Sequence, residues 1–394
     1  MASSDPRRPA LLYDRGTSLD TLGRVADADA MLAQAVEAAH ATGDTRTEWR
    51  ARIDRVFTQI ETDPAALTVP DQARLAREAL RALEPLGDDR GLARAWMVAA
   101  LVEDRRGRAA KKEQAAEQAL RHARRSGIYR EEAWRLWWLA DAILTGPTPV
   151  AAGTARCQQL LRERPGALRV GDVGVLGTLA LFQAMQGHFE RGRQLIAQGR
   201  ELMESLGHTT PLVATMCWRG ELELLAGNLA AAEAALDEAN QHLTADNLET
   251  KATIAGLLAR TMLRQGRHDE AEQLANTVRA GAPPDSRPAQ ARWRSLMAAV
   301  HTARGRSGEA VALATHASRL LRPTDLLPLH TDVLTDLASA LAARGDTVNA
   351  TQAAEQALAL YTEKGNTVAT RQAGNTVTAL SAGMQLQTTG GEQA

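Results

Sequence analysis

Small apolar positions return along this chain in a fixed frame, set between runs rich in Ala, Leu, Glu, Gln and Arg and poor in β-branched residues. Such runs predict helices. Glycines mark the frame: those at 107, 146, 187, 227, 266, 305 and 345 lie 39, 41, 40, 39, 39 and 40 residues apart, and Gly23 belongs to the same series. Five residues after them stand Ala28, Ala151, Gly192, Ala232, Ala271, Ala310 and Ala350, with Lys112 the one large side chain. Seven residues before them stand Gly16, Ala100, Ala180, Gly220, Ala259, Ala298 and Ala338, with Leu139 the exception. Twelve residues after them stand Ala35, Ala119, Gly199, Ala239, Ala317 and Ala357, with Gln158 and Val278 as exceptions. Two antiparallel helices joined by a tight turn approach closely only where side chains are small. Glycine supplies a turn backbone that other residues resist. A period of roughly 40 residues therefore predicts a solenoid of about nine αα-hairpins, with looser or shifted packing at Lys112.

The frame resembles the tetratricopeptide repeat (TPR), whose small residues and turn glycine hold the same relative positions, over roughly residues 9 to 380. The period is longer than the usual 34 residues, which implies longer helices, as in the TPR-like repeats of maltotriose-responsive bacterial transcription activators. The stretches Arg81-Ala-Leu-Glu-Pro-Leu-Gly87, Leu144-Thr-Gly-Pro-Thr-Pro-Val150 and Ala357-Leu-Ala-Leu-Tyr-Thr-Glu-Lys-Gly-Asn366 are similar to the C-terminal repeat regions of actinobacterial signalling ATPases and transcriptional regulators. The resemblance implies an all-α, right-handed TPR-like superhelix of about nine hairpins plus a C-terminal capping helix. It also implies a setting in bacterial signalling or transcriptional regulation. It does not carry ATPase activity over, because the chain has no Gly-x-x-x-x-Gly-Lys-Ser/Thr loop.

A solenoid changes what length means. In 394 residues two or three globular domains would be ordinary, but each repeat packs only on its neighbours, so residues 1–380 read as one repeat domain. The segment Glu61–Pro70 is an irregular insertion with two prolines, after which Asp71 is placed to cap a helix. Turns between hairpins are expected at Gly127, Gly166, Gly207, Asn247, 282–288, Pro323–Asp325 and Gly365, and a last helix from about Asn366 to Leu380. Residues 381–394, rich in Gly, Thr and Gln, read as a disordered tail.

Lys plus Arg (46) nearly balances Asp plus Glu (47), which argues against a globally basic nucleic-acid binder. The run Arg105-Arg-Gly-Arg108, Lys111-Lys112, Arg121, Arg124, Arg125 and Arg130 is interleaved with Glu103, Asp104, Glu113 and Glu117, as on a solvated convex face. Cys157 and Cys217 fit no disulfide or zinc spacing, in keeping with a reducing cytoplasm. No run approaches the ~18 apolar residues of a membrane span. The nine histidines form no His-Glu-x-x-His, there is no Gly-x-Ser-x-Gly, and no metal, cofactor or catalytic set is assigned.

Tryptophan carries the strongest hint of a binding surface. Trp49, Trp96, Trp134, Trp137, Trp138, Trp218 and Trp293 all fall on the first helix of a hairpin, the helix that lines the concave side in TPR-like stacks. Trp96 and Trp138 match core positions. Trp137 and Trp218 share one phase, nine residues before their glycines, and either face the groove or fill space between alanine-rich neighbours. Around them the expected groove carries Leu181, Met185, Cys217, Glu221, Arg260 and Arg264, an apolar floor with a few charges.

The leading reading is a non-enzymatic scaffold that binds a protein or peptide in this groove, with neither nucleic acid nor membrane as a direct partner. The alternatives are a small-ligand sensor that controls an ATPase or DNA-binding partner, and an enzyme that uses the groove as its active site.

Overall fold

The computed structural model describes residues 5–63, 66–163, 166, 168–207, 209–243 and 248–391. Among them are nineteen α-helices and no strand, arranged as nine hairpins and a terminal helix. The hairpins are α1 (Arg8–Thr21) with α2 (Val25–Thr42), α3 (Thr45–Thr62) with α4 (Val69–Leu83), and α5 (Asp89–Arg106) with α6 (Ala109–Ser126). Next come α7 (Tyr129–Thr145) with α8 (Val150–Arg162), α9 (Val170–Met185) with α10 (Phe189–Leu206), and α11 (Thr209–Ala226) with α12 (Leu229–Gln241). The series closes with α13 (Leu248–Arg264) and α14 (His268–Ala280), α15 (Arg287–Ala303) and α16 (Ser307–Leu321), α17 (Leu327–Ala343) and α18 (Thr347–Lys364), then α19 (Thr367–Gly391) alone.

The small-residue frame is the hairpin contact. Ala28, Ala232, Ala271, Ala310 and Ala350 are wholly buried, as are Ala100, Ala180, Ala259 and Ala298 on the facing helices. A Cβ added to Gly220 would sit 2.5 Å from Leu236 Cγ. Seven of the eight hairpin glycines have φ between 71° and 85°, the left-handed region that favours glycine.

Four local expectations change. Gly146 is extended (φ −89°, ψ −169°), and Ala151, expected in the hairpin contact, is exposed. The turn Gly-Pro-Thr-Pro adds length, so Val150, Gly153, Cys157 and Leu160 form the buried stripe of α8 instead. That added length is why the spacing to Gly187 is 41 rather than 39. At the third hairpin Lys112 is buried, not accommodated by a gap. Its Nζ meets Asp104 (2.7 Å) and Asp141 and lies 5.0 Å from the Trp138 ring. Burial alone would lower its pKa, but the two carboxylates raise it. In the second hairpin Thr68, not Asp71, caps α4, accepting from the Asp71 amide. Finally, α19 continues to Gly391, past Ser381 where the expected tail begins. Asn247 and residues 392–394 lie outside the described residues.

The hairpins wind into a superhelix whose successive turns touch. Asp285, between α14 and α15, accepts from the Val69 amide at the start of α4 (2.6 Å) and lies 3.6 Å from the Arg105 guanidinium. Asp325, between α16 and α17, accepts from the first two amides of α6, those of Ala109 and Ala110 (3.0 Å for the second). Its own amide donates to the Gly107 carbonyl at 3.2 Å. Lys364, buried at the end of α18, donates to the carbonyls of Ile143, Gly146 and Thr148 at 3.2, 2.8 and 2.8 Å. Gln186 Nε2 donates to the Gly365 carbonyl (2.7 Å) and Thr367 Oγ1 to that of Met185 (3.1 Å). The Asp285 and Asp325 contacts to Val69 and Ala109 both span 216 residues, and Lys364 to Gly146 spans 218. One superhelical turn therefore holds about five and a half hairpins. The charges suit the helix ends they meet, acids on the amides of α4 and α6, an ammonium on the closing carbonyls of α7. The basic run is thus not simply a solvated face, since Arg105 and Lys112 are both buried within it.

Replacing Ala271 with Leu should overpack the seventh hairpin and lower unfolding stability by ~1–3 kcal/mol. Chemical denaturation measures it, and an unchanged midpoint would contradict the contact assigned to Ala271.

Candidate functional site

Side chains that link a run of first helices lie on the short, inner side of a curved stack, and two ion ladders each link three of them. In the first, Arg94 of α5 meets Asp54 of α3 and Glu131 of α7, the latter at 2.6 Å, and Glu131 also holds Arg135 at 2.7 Å. Burial would raise the Glu131 carboxyl, but Arg94 and Arg135 hold it down at about 2. In the second, Arg260 of α13 reaches past α15 to grip Asp336 of α17 with both nitrogens (2.9 and 2.8 Å), and Ser295 of α15 donates to the same carboxylate.

Between the ladders the inner wall is aromatic. The rings of Trp137 on α7 and Trp218 on α11 meet at 5.3 Å between centroids, tilted by 44°. Trp134, 46% exposed, lies 6.1 Å from Trp137. The helix between them, α9, is buried along almost its whole length and carries Gly171, Gly174 and Gly177 three residues apart. A Cβ on Gly174 would fall 2.6 Å from the Trp137 ring, and one on Gly177 2.3 Å from that of Trp218. The two indoles thus lie on a glycine floor and roof α9 from either side. Trp137 is also fixed by its Nε1, which donates to the Val170 carbonyl (3.1 Å).

Acids continue the same helix faces. Asp141 stands four residues after Trp137 and Glu221 three after Trp218, spacings that keep each pair together. Burial pushes Glu221 up to about 7, helped by Asp332 of α17 and Asp141 and opposed by Arg292 of α15. Groups from four first helices therefore sense one another across the inside of the turn.

Of the residues the sequence assigned to a groove, Trp137, Trp218 and Glu221 come together around α9, and Arg260 lies in the second ladder. Leu181, Met185 and Cys217 are core: they are 2%, 7% and 8% exposed and belong to apolar clusters. They were expected as an open floor, yet α9 is enclosed by α7, α8, α10 and α11. Burial raises the Cys217 thiol to about 12. Arg264 is exposed and donates to the Leu224 carbonyl at 2.5 Å, closing the end of α11. Trp218 is half-buried and packs against the core, and Trp138 does likewise, while Trp96 is only half-buried. The glycines of α9 escaped the sequence reading. Their signal is three glycines at a spacing of three in one helix, each costing about 1 kcal/mol of helix propensity, which needs a close neighbour to explain it. No group of three or more metal-ligating side chains occurs among the described residues.

No family model matches the chain, and no curated protein matches it. Among solved structures it is similar, at 13% identity and a TM-score of 0.59, to a Rap protein complexed with Competence and Sporulation Factor, over 90% of this chain and 98% of that one. A signal-transduction ATPase with numerous domains and a tetratricopeptide-repeat sensor, from Pyrococcus horikoshii, aligns over 90% of this chain and 53% of its own (15% identity, TM-score 0.44). A tetratricopeptide repeat protein from Parabacteroides merdae aligns over 68% and 93% (15% identity, TM-score 0.38). At such identities the likeness is one of fold, an all-α TPR-like solenoid. Among the described residues no helix is long and apolar enough to cross a membrane.

Because the folded chain holds Glu221 near 7 against a usual 4.5, the native state binds this proton more tightly than the unfolded one. Its stabilising contribution is therefore full below pH 4.5 and is lost as pH rises to about 7. Glu221→Gln should gain stability over the native chain at pH 8 by on the order of 1 kcal/mol, and little at pH 4. Thermal unfolding at the two pH values checks this, and an equal effect at both would contradict it.

Proposed function

We propose that the chain is a non-enzymatic recognition scaffold that takes a polypeptide segment along the inside of its superhelical turn. The observation that carries this reading is the inner wall itself: a tryptophan cluster flanked by Asp141, Glu221, Asp332 and Arg292, between two ion ladders. Aromatic side chains beside a few charges are typical anchors for peptide recognition. The Rap structure of the same fold was solved complexed with Competence and Sporulation Factor, which supports occupation of a stack of this kind by a bound factor. The sequence resemblance to repeat regions of signalling ATPases and regulators supports a setting in bacterial signalling or transcriptional control, in a reducing cytoplasm that keeps Cys157 and Cys217 as thiols.

A second reading, a small-ligand sensor, is favoured by one observation. An open depression of about 410 Å³ between α8, α9 and α10 is lined by five leucines, among them Leu176 and Leu179, together with Gln158, Gln183, Arg191 and Gln198. Its volume and its mixture of leucine with amide and guanidinium groups suit a small polar molecule. A thermal-shift screen of metabolites separates the two, since a ligand stabilises the state it binds.

Trp218 packs on the core, so its truncation would report on stability as well as binding, and Trp134 is the cleaner probe. A displayed random-peptide library selected on the native chain should yield binders that lose at least ~10-fold in affinity for Trp134→Ala and for Asp332→Asn. They should bind Glu201→Gln, on the outer helix α10, as before. Binders indifferent to both inner-wall variants, or no binders, would overturn the reading.

A further inference from the structure

Among the described residues the apolar clusters join hairpins that are neighbours in sequence. The largest is drawn from α6 to α11, the next from α11 to α16, and others from α3 to α5 and from α16 to α19. None of them joins residues one superhelical turn apart. Across the seam between turns meet Asp285 with Arg105, and Asp325, Lys364, Gln186 and Thr367, most of them against backbone amides and carbonyls. Thr324 and Leu326 approach Gly107, Val150 and Val368 lie beside Gly365 and Gly187, and the Lys364 ammonium lies 5.5 Å from the Phe182 ring.

We propose that this seam is a releasable closure, along which the superhelix opens while every hairpin stays folded. Neighbouring hairpins are held by buried apolar area, which water cannot replace. The seam is held by hydrogen bonds and charges, and water can replace each of these. Opening hydrates Asp285, Asp325 and Lys364 and parts Arg105 from Asp285, leaving its guanidinium the Leu67 carbonyl on its own turn. The start of α6 becomes like those of α14 and α16, which have no side-chain cap, and α4 keeps its Thr68 cap. Burial presses Lys364 down to about 8, so its ammonium is held in the closed form against a desolvation cost that opening removes. A solenoid needs only small rotations between successive hairpins to part its turns. The closure belongs to the ligand-free chain and stands whatever the inner wall binds.

The test is small-angle scattering of the ligand-free protein with circular dichroism on the same samples. Asp285→Asn/Asp325→Asn preserves volume and removes the two carboxylates, and Lys364→Met removes the ammonium while keeping most of its bulk. The expected result is a larger radius of gyration for both variants at unchanged helical content, with the triple variant the most extended. Dimensions equal to those of the native chain in all three would overturn the proposal. So would loss of helical signal in the isosteric Asp→Asn variant, because the seam and the hairpins would then be one cooperative unit.

Discussion

The first amides of α6 need an acceptor, and the residue that supplies it lies 216 positions away in the chain. A helix leaves its opening N–H groups unpaired, and α6 has no cap of its own. Asp325 can reach Ala109 and Ala110 only if the hairpins between them complete one turn and return at the right height. That single requirement sets the pitch. Asp285 on α4 and Lys364 on the end of α7 repeat it on either side, so three consecutive first-turn hairpins carry the second turn. The diameter of the inner space follows, and with it the approach of Glu221 to Asp332 and of the two ion ladders to their neighbours.

Much of the fold was legible because hairpin packing is local. Glycine at the turn and alanine at the contact are demands made within about twenty residues, and they recur in sequence wherever they recur in space. Gly266 with Ala271 and Gly305 with Ala310 are such cases. The reading failed where a local rule had two solutions. Gly146 sits in phase, but the prolines after it shift the buried stripe of α8 from Ala151 to Gly153. Lys112 sits in phase too, and its burial depends on Asp141 from the following hairpin, which no spacing announces. The seam was not legible at all. Aspartates in connecting segments are ordinary, and only the closed turn shows that two of them cap helices from the preceding one.

The candidate site divides in the same way. Trp137 and Trp218 shared a phase, and phase brought them to the same side of the stack. Their meeting over α9 depends on Gly174 and Gly177, which leave room for two indoles where any side chain would collide. Leu181, Met185 and Cys217 have the right polarity for a floor, but polarity alone does not distinguish a groove from a core. The difference is the enclosure of α9 by four neighbours. What remains open on the inner wall is a mixture of indole, carboxylate and guanidinium, held by ladders that each join three consecutive hairpins.

Amide hydrogen exchange resolved to single residues tests the inter-turn caps most directly. The opening amides of α4 and α6, at Val69, Ala109 and Ala110, should exchange far more slowly in the native chain than those of Val25 and Ala26. The latter open α2, which has no side-chain cap, and among the described residues no group of a later turn hydrogen-bonds to them. Protection of the first set together with rapid exchange of the second is the predicted result. Equal, rapid exchange at all five positions would show that the second turn does not cap the first.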